Sequence, residues 1–165
     1  MDLNQQLVAQ LSSLCNTTEK VVATAESCTG GFVSTCITGM PGSSAWFDRG
    51  FVTYSNQAKM DLLDVSEQVL DQQGAVSEPT AKAMAEGAVR HSLAHLSVSI
   101  TGVAGPDGGT DSKPVGMVCF AVGEKCTDGS ITSTANTQYF KGDRHSIRLQ
   151  ATHYALGLLV QALLK

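Results

Sequence analysis

Three short segments bring nucleophiles, bases and glycines together at points where the chain must turn. The first, Thr24 to Gly31, reads TAESCTGG. It sets the Ser27 hydroxyl and the Cys28 thiol just ahead of a glycine pair, between a strand-like run and a helix-like one. Backbone N–H groups at a helix start hold an anion or a developing oxyanion. A hydroxyl at such a junction is presented much as the serine of a nucleophile elbow is, although the pattern is not GxSxG. Glu26, Thr29, Gly30 and Gly31 are further candidate substrate contacts, the glycines because they let a ligand approach the backbone closely. The plainer alternative is that Ser27 and Thr29 only cap the helix.

The second segment, Tyr54-Ser55-Asn56-Gln57-Ala58-Lys59, is another strand-to-helix junction. Lys59 falls in the first turn of the expected helix, where the positive dipole end and partial burial both disfavour an ammonium. A lysine with a lowered pKa serves as general base to a serine. Tyr54 and Asn56 are placed beside it. The alternative is an ordinary solvated lysine. The third segment, TGVAGPDGG from Thr101 to Gly109, lets the backbone turn tightly over a ligand, with Gly102, Ala104 and Gly105 as candidate contacts. It resembles neither a Walker A loop nor a dinucleotide fingerprint. Arg144 and Arg148 begin the last helix, and both could pair a phosphate. The safer reading of Arg148 is a solvated face. Cys28 is a rival nucleophile, ranked below Ser27 because adjacent side chains point in different directions.

These segments need a scaffold of alternating elements. Leu3, Leu7, Leu11 and Leu14 recur at helical spacing, which predicts a helix over residues 2–17. Residues 20–26 read as a short buried strand, and a helix capped by Ser27 or Thr29 then runs to Thr38. Residues 39–44 form a loop, and 46–54 a strand rich in aromatic and β-branched residues. Ser55 caps a helix over 56–63, Ser66 starts another closed by Gly74, and Ser77-Glu78-Pro79 starts a third that runs to about Leu93. Leu96, Val98 and Ile100 alternate with Ser97, Ser99 and Thr101, giving a strand with one less apolar face. Strands follow near 115–122 and 131–140, then a helix from about Asp143 to Leu164. The order predicts an α/β protein: one single-domain α/β/α sandwich with a mixed β-sheet, over residues 1–165.

Composition narrows the function classes. The chain has 165 residues, 42% hydrophobic and 16% charged, the balance of a globular domain. A net charge of −4 argues against a nucleic-acid partner. No apolar run approaches the roughly 20 residues of a membrane span, and the N-terminus has no signal-peptide pattern. Five scattered cysteines without a CxxC pair fit reduced thiols in the cytosol. His91 and His95 could share a helix face as metal ligands, but no third ligand is near in sequence, so no metal and no cofactor are expected.

The segments TAESCTGG, GSSAWFDRGFVTYSNQAK, GAVSEP, SITGVAGPDGG, KPVG and FKGDR together resemble the CinA C-terminal domain family. The match runs from about Val21 to Tyr154, and the chain lacks the larger N-terminal domain of the fused members. The resemblance implies hydrolysis of the carboxamide of nicotinamide mononucleotide to nicotinate mononucleotide and ammonia, within pyridine nucleotide recycling. It also implies a metal-independent serine/lysine mechanism and a homodimer in the cytoplasm. The dyad maps onto Ser27 and Lys59, with Tyr54 orienting the lysine or stacking on the pyridine ring. Ser43 and Ser44 lie in the same motifs and are alternative nucleophiles, or with Arg144 hold the phosphate or ribose. Two rival readings are a non-catalytic nucleotide-binding or interaction module and a thiol amidase built on Cys28.

Overall fold

A computed structural model describes residues 2–165. One five-stranded sheet is assembled in the order β2-β1-β3-β4-β5. Its strands are β1 (Val22–Glu26), β2 (Phe47–Val52), β3 (Leu96–Gly102), β4 (Met117–Lys125) and β5 (Ile131–Tyr139). β1 pairs in parallel with both β2 and β3, whereas β4 and β5 continue antiparallel, so the sheet is mixed. The helices are α1 (Leu3–Thr18), α2 (Phe32–Thr38), α3 (Asn56–Leu63), α4 (Glu67–Gln73), α5 (Glu78–Arg90) and α6 (Arg144–Leu163).

Both faces of the sheet are covered, as a largely parallel centre requires. α1, α2 and α6 close one face over Val22, Val98, Ile100 and Phe120, with Trp46 buried at the rim. α3, α4 and α5 close the other through Leu63, Leu70, Met84 and Ala88. The chain is thus an α/β/α sandwich. The less apolar face of β3 is interior too, because Ser97 and Ser99 are as buried as Val98 and Ile100. Their hydroxyls donate to the carbonyls of Ala85 and Ala81 on α5, both at 2.6 Å, and Thr101 Oγ1 donates to Ala75 O at 2.8 Å. Small hydroxyl residues on β3 and alanines on α5 let helix and strand approach closely while every hydroxyl keeps an acceptor.

Local capping sets the helix starts that matter for the site. Ser55, Ser66 and Ser77 are extended N-caps whose side chains accept from Ala58, Val69 and Thr80 N–H groups. α2 is different. Its N-cap is Gly31 at φ +107°, and neither Ser27 nor Thr29 caps it. The Glu26 carboxylate at the end of β1 reaches over instead, accepting from the N–H groups of Gly31, Val33 and Ser34 at 3.0–3.2 Å. The residues at 43–45 form a single 3-10 turn rather than a plain loop, and α5 stops at Arg90, three residues short of expectation.

Candidate active site

The first three strands end on the same side of the sheet, with β1 between two neighbours reached by connections on opposite faces. Ligands of open α/β sheets settle in the crevice beyond such strand ends. A cleft of about 310 Å³ opens there. Ser27 and Cys28 come to it from the end of β1, Tyr54 and Lys59 from the β2–α3 junction, Thr101 to Gly105 from β3 and the loop after it, and Arg144 from the start of α6.

Ser27 continues the β1 ladder, its N–H donating to Ile100 O at 2.9 Å, so its backbone is set by the sheet. Lys59 is the fourth helical residue of α3 and points inward with Leu63 one turn later; it is only 1% exposed. Its Nζ lies 3.0 Å from Ser27 Oγ, 2.9 Å from Thr53 O and 3.3 Å from Tyr54 O. Burial, the larger effect, lowers the Lys59 pKa below the ordinary lysine value, with neighbouring Cys28 acting in the other direction. A neutral amine has two N–H donors and one lone pair. A charged Nζ donates to all three oxygens, and the Ser27 hydroxyl then has Tyr54 O as acceptor at 3.4 Å; once neutral, Lys59 keeps two donors for the Thr53 and Tyr54 carbonyls and its lone pair becomes available to the Ser27 hydroxyl. The pair can therefore pass a proton from oxygen to nitrogen.

Cys28 is also at the cleft, but burial pushes its thiol up to about 12. At neutral pH it is protonated and a poor nucleophile. Tyr54 meets Lys59 through its main-chain oxygen and not its ring. The ring is 63% exposed at the cleft mouth, and its hydroxyl lies 3.3 Å from Arg144 Nη2. Arg144 Nη1 donates to Gly105 O at 2.7 Å, which ties the glycine loop to α6.

Several expected site residues lie elsewhere. Glu26 is fully buried and faces α2; besides the three N–H groups it accepts from Thr29 Oγ1 at 2.7 Å and Ser34 Oγ at 2.8 Å, so neither Glu26 nor Thr29 offers its side chain to the cleft. The Gly30 N–H is taken by Ser27 O at 3.1 Å and the Gly31 N–H by Glu26, which removes both as oxyanion donors. Asn56 is exposed at the first position of α3, outside the cleft lining. Ser43 and Ser44 precede β2 and sit beside the start of β1, where Val22 N–H donates to Trp46 O. The length of β1, about 15 Å at the usual strand rise, separates them from Ser27. Parallel pairing of β1 and β2 forbids their joining Lys59. His91 and His95 share no helix face, since α5 ends before both: His91 pairs with Asp64, and His95 Nδ1 accepts the Val21 N–H at 3.0 Å. Among the described residues no group of three His, Cys, Asp or Glu side chains is placed to hold a metal ion.

The cleft also contains Ala75, Val76, Thr101, Val103 and Asp107, which the reading of the sequence did not assign as contacts. Ala75 and Val76 lie in the GAVSEP segment, whose place in the shared motifs was the available signal. Asp107 lies within the glycine loop itself.

A cleft at parallel strand ends, with a buried lysine against a serine, is an α/β arrangement suited to hydrolysis by a serine/lysine pair. The model of the CinA C-terminal domain matches residues 4–163, and the chain belongs to that family. It is 49% identical over 160 residues to the nicotinamide-nucleotide amidohydrolase PncC of Escherichia coli (strain K12), covering 97% of this chain and 94% of that protein. A CinA-like protein of Chlorobaculum tepidum is 50% identical over 141 residues, covering 85% of this chain but 33% of its own greater length. Among solved structures, the competence/damage inducible protein CihA of Agrobacterium tumefaciens superposes with a TM-score of 0.90 at 41% identity, covering 100% of this chain and 98% of that one. A CinA superfamily protein from Escherichia coli gives a TM-score of 0.89 at 36% identity, over 96% of this chain and 90% of that one.

Proposed function

We propose that this protein hydrolyses the carboxamide of nicotinamide mononucleotide to nicotinate mononucleotide and ammonia. The observation that carries the reading is the Lys59–Ser27 contact at 3.0 Å in a cleft at the strand ends. Neutral Lys59 takes the Ser27 proton as Oγ attacks the carboxamide carbon. The tetrahedral oxyanion is received by main-chain N–H, with the Cys28 N–H, next after the nucleophile, in the position that nucleophile elbows use. The ammonium of Lys59 then protonates the leaving nitrogen, the C–N bond breaks and ammonia departs. Water attacks the resulting ester, gives its proton to Lys59, and Ser27 recovers that proton as the acid leaves.

Arg144, exposed beside Tyr54 at the mouth, is placed for the phosphate, and the Tyr54 ring for the pyridine. Phosphate contacts remote from the amide supply binding energy that orients it. The reading includes no cofactor, nucleic-acid or membrane partner. No helix among the described residues is long and apolar enough to cross a membrane. It places the protein in the cytoplasm, where its five free cysteines stay reduced, and as a homodimer, as membership of the family suggests.

Ammonia release by the purified chain tests the reading, with EDTA present throughout. Nicotinamide mononucleotide should be hydrolysed far faster than free nicotinamide. Binding of the nucleotide without ammonia release would instead favour a non-catalytic nucleotide-binding module.

A further inference from the structure

Arg148 comes from the second turn of α6, 120 residues beyond the nucleophile turn, and lies behind that turn, outside the cleft lining. Its Nε donates to Cys28 O at 2.9 Å and its Nη2 to Thr29 O at 3.3 Å. The guanidinium carbon sits 4.4 Å from the centroid of the Phe32 ring, a cation–π contact. Among the described residues Arg148 has no carboxylate partner within ion-pair distance. Its partners are two carbonyls of the turn and one ring of the helix that follows.

The turn is shaped to receive it. Gly30 adopts φ +58°, and a Cβ there would come within 3.2 Å of Arg148 Nη2. A side chain at 30 would therefore be both strained and in the way of the guanidinium. From the opposite side the Glu26 carboxylate holds the N–H groups of Gly31, Val33 and Ser34. Between these two charged groups every carbonyl from Ser27 to Thr29 has a donor: Gly30 N–H on Ser27 O, Arg148 on Cys28 O, and Arg148 with Phe32 N–H on Thr29 O. Peptide units are planar, so Gly30 N–H on Ser27 O fixes the Cys28 N–H, while Arg148 on Cys28 O fixes the Thr29 N–H and so the turn that carries Gly30.

We propose that Arg148 is a positioning residue of the hydrolase: by holding the Cys28 and Thr29 carbonyls it locks the turn from which Gly30 N–H holds Ser27 O, and through that turn the backbone of the nucleophile. The fork geometry matters, because one guanidinium spans two carbonyls that a single ammonium cannot hold together in the same way. Misplacing a reacting group by about 1 Å costs on the order of 10²-fold in rate. The inference rests on Ser27 as nucleophile, and it assigns Arg148 no phosphate, since Nε and Nη2 are taken by the turn carbonyls and Arg148 does not line the cleft.

The test is steady-state kinetics of Arg148→Ala and Arg148→Lys beside the wild type, on nicotinamide mononucleotide and on nicotinamide riboside, with and without millimolar guanidinium. For Arg148→Ala the expected result is kcat lowered about 10²-fold, KM within about threefold, and the same factor on both substrates. Guanidinium should restore kcat about tenfold or more while leaving the wild type unchanged, which a merely structural role would not show. Arg148→Lys should fall between the two; if Arg148→Ala does not fold, its kcat loss at unchanged KM carries the test. A raised KM for the mononucleotide alone, with kcat retained, would make Arg148 a phosphate ligand and overturn the inference. So would wild-type kcat in either variant, or a loss that guanidinium leaves untouched in folded Arg148→Ala. An inactive wild type would mean that the proposed function itself fails.

Discussion

Lys59 Nζ and Ser27 Oγ stand 3.0 Å apart, and the other two oxygens within hydrogen-bond reach of that nitrogen are the main-chain carbonyls of Thr53 and Tyr54. Among the described residues no carboxylate lies within ion-pair distance of that nitrogen. Burial lowers its pKa, and the two carbonyls direct the lone pair of the neutral form toward serine.

The first prediction follows from that arrangement. The base works when neutral, so kcat/KM should rise with pH along a limb whose midpoint lies below the ordinary lysine value of about 10.4. Lys59→Arg keeps its charge at neutral pH and should lose about 10²–10⁴-fold in kcat. The pH profile and turnover of purified variants check this. Substantial activity in Lys59→Arg would reduce the lysine to an electrostatic contact.

A second prediction concerns Glu26, which caps α2 from the end of β1. Glu26→Ala removes the acceptor for three main-chain N–H groups and two hydroxyls at a buried site. It should lower stability by about 2–4 kcal/mol, more than an ordinary exposed cap, and urea unfolding measures it. Glu26→Gln keeps one oxygen and should lose less. Equal and small losses for both would contradict the capping role.

The third prediction is a pH dependence of stability. His95 Nδ1 accepts the Val21 N–H, and burial, with Lys20 and Lys125 nearby, pushes its pKa down. The fold therefore binds fewer protons at His95 than the unfolded chain does. Its contribution to stability is complete above the unfolded histidine value of about 6.5 and is lost as pH falls from there through the lower folded value. Urea midpoints between pH 7 and pH 5 should fall more steeply for the wild type than for His95→Asn. Parallel slopes would sink the assignment.

Much of this architecture could be read locally. Ser55, Ser66 and Ser77 announce their helices because an N-cap acts on an N–H three residues on, within reach of a sequence window. Lys59 was legible as a junction residue for the same reason. What could not be read depends on elements meeting across the fold. Glu26 was mistaken for a substrate contact because its partners belong to the next helix around a turn whose path the glycines decide. Ser43 stayed a rival to Ser27 because only the parallel pairing of β1 with β2 puts them at opposite ends of the sheet. Arg148 looked like a solvated helix residue because Cys28, whose carbonyl it holds, is 120 positions away. His91 and His95 looked like one helix face because the end of α5 at Arg90 carries no glycine or proline to mark it.

The central claim is that Ser27, and no other hydroxyl or thiol, attacks the amide. Ammonia release from nicotinamide mononucleotide by Ser27→Ala, measured beside Cys28→Ala and with circular dichroism to verify folding, tests it most directly. Ser27→Ala should be folded, should still bind the nucleotide, and should turn over at least about 10³-fold more slowly than the wild type; Cys28→Ala should keep most of its activity. A folded Ser27→Ala enzyme within about tenfold of wild-type turnover, or a Cys28→Ala enzyme that is folded and inactive, would contradict it.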